Sequence, residues 1–283
     1  MDVRAALWSQ VPVALLLFGQ MAFGAGPAFD VASVKPSKSD GVVASNFTLG
    51  PGDRYIPNGG LFSATGLPLI TYISFAYRMM GSDMQYLLPQ LPGWVTTERF
   101  DIQARAEGNP GKSEMRLMMR ALLAERFGLA VHNETREAPV LALVLVKPGK
   151  TGPQLRAHRE EPPCPSDIMQ PPMPTSDGFP LLCVGLLDVP PQVPGRRRVG
   201  ARRTTLQFIA ASLDGLEDLG RPVVDQTGLE GNFDFAIEWD AAPDSPGPSF
   251  QEALREQLGL KLEARKGPFE VIVLDHVHRP SVN

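Results

Sequence analysis

Phe100-Asp101-Ile102 returns later in the chain as Phe233-Asp234-Phe235, and the segment downstream of each copy also returns. Glu125-Arg126-Phe127-Gly128-Leu129 corresponds to Glu256-Gln257-Leu258-Gly259-Leu260, and Pro139 to Pro268. A repeat of this length is the mark of duplication, with two supersecondary units packed on each other. It constrains the fold more than any composition does, because one backbone plan must satisfy the chain twice. Successive strands joined across short Gly or Pro turns favour antiparallel order. The expected class is therefore α+β, two tandem similar α/β units with helices packed on antiparallel-rich sheets.

The second copy is announced by Gly220 to Phe235. Pro222 biases Arg221 toward extended backbone and marks a strand entry. Val223 and Val224 are β-branched and suit a pleated surface. Gly228 and Gly231 fall where the chain reverses. Phe233, Phe235 and Ile237 alternate with Asp234, Ala236 and Glu238, a strand with one buried face. Asp225 and Thr227 sit in the turn, either as a ligand site or as the hydrogen-bonding partners that such turns use. The equivalent turn of the first copy, Leu91 to Thr97, carries Trp94, a residue type enriched at binding hot spots and also at home in a core.

Taken in order, Phe29 to Pro36 alternates apolar and polar and stops at proline, a first strand. Residues 37–60 are Gly-, Ser-, Pro- and Asn-rich and read as loop, with room for a short strand near Phe47. Leu69, Ile73, Ala76, Tyr77 and Met80 form a helical stripe that Gly81 would end. Met84 to Leu88 suggests a strand. Ser113 is a candidate cap for the helix of Met115, Met118, Met119 and Leu122, with Gly128 just beyond its end. Leu129 to Glu134 and Val140 to Val146 read as two strands, with Pro139 entering the second. In the later half Thr205 precedes a helical stripe of Leu206, Ile209, Ala210 and Leu213. Ser249 and Glu252 make a capping box. Leu260 to Arg265 and Phe269 to Val277 are again two strands, separated by Pro268.

This 283-residue chain has 28 prolines and 27 glycines, and about a dozen of the prolines fall between the copies, where there is little periodicity. That gives four segments: a signal peptide at 1–24, a first unit at 25–147, a proline-rich insert at 148–200 and a second unit at 201–283. Arg4, the apolar run from Val11 to Phe18 and Ala22-Phe23-Gly24 have the order of a secretory signal with a small-x-small cleavage site. The uncharged stretch is long enough that an uncleaved anchor is the alternative, and then the only membrane contact. In an exported chain the cysteines, Cys164 and Cys183, read as a disulfide worth about 3 kcal/mol in the chain-entropy model, with a free pair or metal half-site as alternatives.

A net charge of −4 argues against a generic nucleic-acid binder. The chain has no Gly-x-Ser-x-Gly elbow, Walker loop, His-Glu-x-x-His helix or dinucleotide glycine fingerprint, so no catalytic residue and no cofactor is assigned. His276 and His278 lie two apart on one strand face and would need a further ligand, such as His132, to hold a metal. Arg196-Arg197-Arg198 with Arg202 and Arg203 reads as a solvated linker end, with an acidic partner as the other option. The paired methionines read as core filler on helices.

Phe29 to Pro36, Leu122 to Leu129, Gly220 to Phe235 and the closing Arg279-Pro280-Ser281-Val282-Asn283 together resemble a large soil-associated family of soil bacteria, a domain of unknown function. The single units are also similar to the short N-terminal domain of secretins and TonB-dependent receptors, a small interaction module. The family resemblance implies export and supplies no activity. The expectation is a non-catalytic binding or interaction module of the cell envelope, periplasmic or extracellular, whose partner is an unknown envelope protein or peptide. The alternative is an envelope hydrolase or metal-dependent enzyme with its site between the units.

Overall fold

The computed structural model describes residues 26–38, 41–160, 178–181, 183, 185–242 and 245–280. The expected signal segment, Cys164 and part of the proline-rich insert lie outside the described residues. Among the described residues no helix is long and apolar enough to cross a membrane.

The fold is α+β, built on three mostly antiparallel sheets. The first sheet orders β1 (Val31–Pro36), β4 (Arg99–Arg105), β3 (Leu61–Pro68) and β2 (Ala44–Ser45). Helices α1 (Leu69–Ala76) and α4 (Lys112–Phe127) pack together in the core of this half. The second orders β6 (Leu155–Ala157), β10 (Phe233–Trp239), β8 (Arg197–Thr204) and β7 (Leu187–Asp188). Helix α5 (Leu206–Leu216) and α6 (Phe250–Ala253), which runs into a π-helical turn at Leu254–Leu258, complete that half. The third sheet joins the halves: β5 (Ala130–Leu145) and β11 (Leu260–His276) pair antiparallel along their length, and β9 (Val223–Asp225) adds parallel to β5.

Element by element, the halves use the same devices. In β3 the register against β4 slips between Ala64 and Leu67, where Gly66 has φ 70 and donates its N–H to Asp101 Oδ1 at 2.9 Å. In β8 the slip against β10 falls at Arg203, with φ 53 and its N–H on Asp234 Oδ1 at 3.2 Å. The Phe-Asp pattern of the sequence is therefore a strand residue followed by the carboxylate that holds a bulge. Gly128 and Gly259 end the paired helices in left-handed backbone. At each, a carbonyl of the last turn accepts from a segment distant in sequence: Phe127 O from His278 N at 2.7 Å, Leu258 O from Gly152 N at 2.8 Å.

The long ribbon crosses between two cores. Val131 at the start of β5 packs on the first core, and Leu141 and Leu145 near its end pack on the second. Strand β11 runs the other way, from Leu260 and Leu262 in the second core to Ile272 and Leu274 in the first. Each half thus lends a strand to its neighbour.

Several sequence expectations change here. Met84 to Leu88 is not a strand: Gly81–Leu87 forms helix α2, whose first N–H groups are met by Asp83, accepting from Met80 N at 2.7 Å. Gly81 starts that helix and does not end the previous one; α1 stops at Tyr77, with Arg78 at φ 54. Gly111, not Ser113, caps α4, and Glu114 accepts its N–H at 2.9 Å. Ser249 with Glu252 forms the capping box the sequence indicates, and Thr205, which precedes the helical stripe, caps α5 by accepting from Phe208 N. The two expected strand pairs are single long strands. Pro139 faces Lys266 and Pro268 faces Glu137 in one register, and each proline sits where the ribbon has no third strand. A missing N–H costs little on an open edge, so proline does not break the strand there.

The insert and the basic run also differ from expectation. Part of the proline-rich segment forms β6 and β7, the two outer strands of the second sheet. Arg202 is 0% and Arg198 4% exposed, so the run is core strand β8 and not a solvated linker. It is buried because β10 offers carboxylates across the sheet. Arg202 reaches Asp234 at 3.5 Å, Arg198 reaches Glu238 at 3.8 Å and Arg196 reaches Asp240 at 3.1 Å. Asp234 also accepts from His158 Nδ1 at 2.6 Å. Charge taken from water is tolerated only in such pairing.

Candidate functional site

Where the halves face each other, a cavity of about 630 Å³ opens between the 48–56 loop, the Met79–Met84 segment and one face of α5. Its wall is largely apolar, with Met79, Met80 and Met84 on one side and Phe208, Ala211 and Leu216 on the other. Size and lining fall in the range of small-molecule sites, which favour junctions between structural units.

Each wall is held for a local reason. The 48–56 loop has little regular structure of its own, and buried Arg116 of α4 organises it. Its guanidinium meets the Asp53 carboxylate and donates to the carbonyls of Pro51 at 2.7 Å and Gly52 at 2.9 Å. Arg78 adds a second anchor, 2.9 Å from both Asp53 Oδ2 and the Pro51 carbonyl. The same guanidinium lies 5.2 Å from the Phe208 ring centroid and so ties the loop to α5. At Gly81 α2 comes close to α5: a Cβ there would rest in ordinary contact, 3.4 Å from an Asp214 oxygen and 3.9 Å from Gly215 Cα. Methionine side chains fill such an irregular wall without fixing its shape.

One cationic residue sits in this wall with little solvent. Lys112, the first residue of α4, is 3% exposed and lines the cavity. Its Nζ donates to the Arg54 carbonyl at 3.0 Å. Burial first, then the nearby charges of Arg116 and Arg78, push its amine down to about 7, and Asp53 opposes them only in part. The positive end of the α4 dipole acts in the same direction. Tyr55 and Arg54 line the same cavity. Beyond Met80, Phe208 and Ala211 a second depression of about 380 Å³ carries Arg78 and Arg203. These two are the non-glycine residues with positive φ among the described residues.

The residues singled out by sequence lie elsewhere. Trp94, in the short helix α3 (Trp94–Thr97), packs edge-on against Phe100 at 6.4 Å and under the Arg279 guanidinium at 5.2 Å. Asp225 Oδ1 accepts from Thr227 N at 2.9 Å, and Thr227 Oγ1 from Leu229 N at 3.2 Å, so both serve the turn. None of the three lines the cavity. Both halves place a segment alongside the ribbon. Strand β9 brackets Leu141 and Leu143 of β5 through the Pro222 carbonyl and the Gln226 N–H. In the first half the Gln90 side-chain amide does the same for Ile272 and Leu274 of β11, at 3.3 and 3.0 Å. His276 and His278 stack at 5.5 Å, while His132 pairs with Asp275 at 2.9 Å. Among the described residues no group of three or more His, Cys, Asp or Glu side chains is placed to hold a metal ion.

Sequence reasoning missed Lys112 and the cavity. Lys112 looks like an ordinary first-turn residue after Pro110-Gly111, and its burial comes from a loop whose fold depends on Arg116.

A family described as "Protein of unknown function (DUF3738)" matches residues 70–277. The chain belongs to this family. The match takes in α1 through β11, and so both walls of the cavity apart from the 48–56 loop. No curated protein and no solved structure matches the chain.

Proposed function

We propose that this DUF3738 protein is an exported binding protein of the cell envelope, formed by duplication, that holds a small apolar molecule in the cleft between its halves. The observation that carries this reading is the 630 Å³ cavity walled by methionines and α5, with one buried amine in its lining. The paired bulges, the paired helix ends and the exchanged long strands support duplication. The leader-like start of the sequence and its likeness to exported soil-associated proteins support the envelope address. A binding site needs no reacting group, and the cleft has the apolar wall and few polar atoms that orient a ligand.

Peptide capture along the ribbon is the weaker reading. The open edges of β5 and β11 carry Pro139, Pro268, Lys266, Glu137 and Glu270, features that discourage strand addition.

Gly215 supplies the test. It lines the cavity near the end of α5, and a Cβ there meets nothing within 4 Å. A Gly215→Leu variant should fold and place its side chain across the cleft mouth. Octanol titrated into the wild-type protein should quench or shift a bound anilinonaphthalene probe, and Gly215→Leu should weaken probe binding at least tenfold. Equal probe affinity in a folded Gly215→Leu protein would place binding elsewhere.

A further inference from the structure

We infer that Lys112 is a reactive amine that forms an imine with an apolar aldehyde or ketone held in the cleft, an inference that rests on the cleft being the binding site. An amine becomes a nucleophile near neutral pH when it is desolvated or set beside other cations. Lys112 meets both conditions. It is 3% exposed in a mainly apolar wall, and the guanidiniums of Arg116 and Arg78 disfavour a third charge. Its Nζ donates to the Arg54 carbonyl at 3.0 Å, a neutral acceptor that orients the nitrogen without holding a charge on it, in a residue that lines the cavity. Asp53, the acid that could restore the charge, is engaged by Arg116 and Arg78. At the start of the helix Glu114 is turned to the Gly111 N–H and not to the amine.

The chemistry balances with the groups present. The Nζ lone pair adds to the carbonyl carbon as the C=O π pair moves to oxygen, which takes up the proton released from nitrogen. The carbinolamine then loses water: its C–O bond breaks, a C=N bond forms, and the nitrogen gives up its remaining proton to the departing hydroxyl. Neither an oxidant nor a second substrate is required. The ligand class is a medium-length aliphatic or aromatic carbonyl compound, since the wall offers methionine and phenylalanine contacts and one amine.

The test is reductive trapping on the full chain at pH 7 with octanal and cyanoborohydride, followed by peptide mapping. Lys112 should carry the octyl group at least tenfold faster than the exposed Lys147, Lys150 and Lys266, and trapping there should level off above pH 7 to 8. A Lys112→Met variant should lose the fast adduct, while the slow labelling of Lys147, Lys150 and Lys266 stays as in the wild type. Uniform slow labelling of all lysines, with octanol still bound, would overturn the imine and leave the binding reading standing. Loss of octanol binding to the wild-type protein would overturn both. If Lys112→Met failed to fold, the wild-type ratio of Lys112 to surface adducts would still decide the question.

Discussion

Replacing Lys112 by Met should remove a pH dependence of stability that the wild-type protein carries between about pH 7 and 10. In the unfolded chain the amine titrates near its ordinary value of about 10.4. In the folded protein, burial and the Arg116 and Arg78 charges hold it down to about 7, against the partial opposition of Asp53. Between those values the unfolded chain binds a proton that the native state does not, so stability rises with pH. Below about 7 both states are protonated and the slope vanishes. Each pH unit in the window is worth at most about 1.4 kcal/mol, so pH 7 to 9 spans an upper bound of about 2.7 kcal/mol. Met has similar length, no charge and a taste for irregular apolar walls, so it keeps the packing. Urea unfolding of both proteins at pH 6, 7, 8 and 9 isolates the term, because every other titrating group is common to both. The difference in stability, wild type minus variant, should be flat below pH 7 and climb above it. Parallel curves throughout would show that Lys112 is solvated, and the physical basis of the cleft amine would fall.

Arg116→Met should cost about 3–5 kcal/mol, the range for breaking one side of a buried pair, and should release the 48–56 loop to limited proteolysis. Asp234→Ala, which strands Arg202 and the bulge N–H of Arg203, should be at least as damaging, while Asp101→Ala, which loses one N–H contact from Gly66, should cost about 1–3 kcal/mol by thermal melting. Fragments cut at 147/148 should not fold alone and should regain structure by circular dichroism when mixed, because β5 and β11 each complete the other half's core. Non-reduced peptide mapping of exported protein should recover Cys164 joined to Cys183; two free thiols there would contradict the expected bridge.

Local patterning marked the longer helices α1, α4 and α5, but not α2, which looked like a strand. Ser249 with Glu252, Thr205, Gly128 and Gly259 mark helix ends by chemistry that acts within a turn or two, so the sequence alone places them. Strands were legible where apolar and polar residues alternate, as in β4 and β10. Two central strands were not. In β3 the alternation of Phe62 and Ala64 is short and ends at a bulge glycine, and in β8 the buried residues include Arg198 and Arg202, whose place depends on carboxylates of β10. Pro139 and Pro268 looked like strand breaks because their effect is set by whether a third strand lies alongside, which sequence does not show. The cavity was least legible of all. Its lining joins Lys112, Met80 and Phe208, residues far apart in the chain that meet through the packing of α2 on α5 and the loop that Arg116 ties down.

Methyl NMR of methionine-labelled protein tests the central claim most directly. Met79, Met80 and Met84 line the cleft, whereas Met115, Met118 and Met119, which share the first core with Met79, do not. On titration with octanol the first three methyl signals should shift together along one saturable curve while the other three hold still. Shifts spread evenly over both groups, or none at all up to the solubility of the alcohol, would contradict a binding site between the halves.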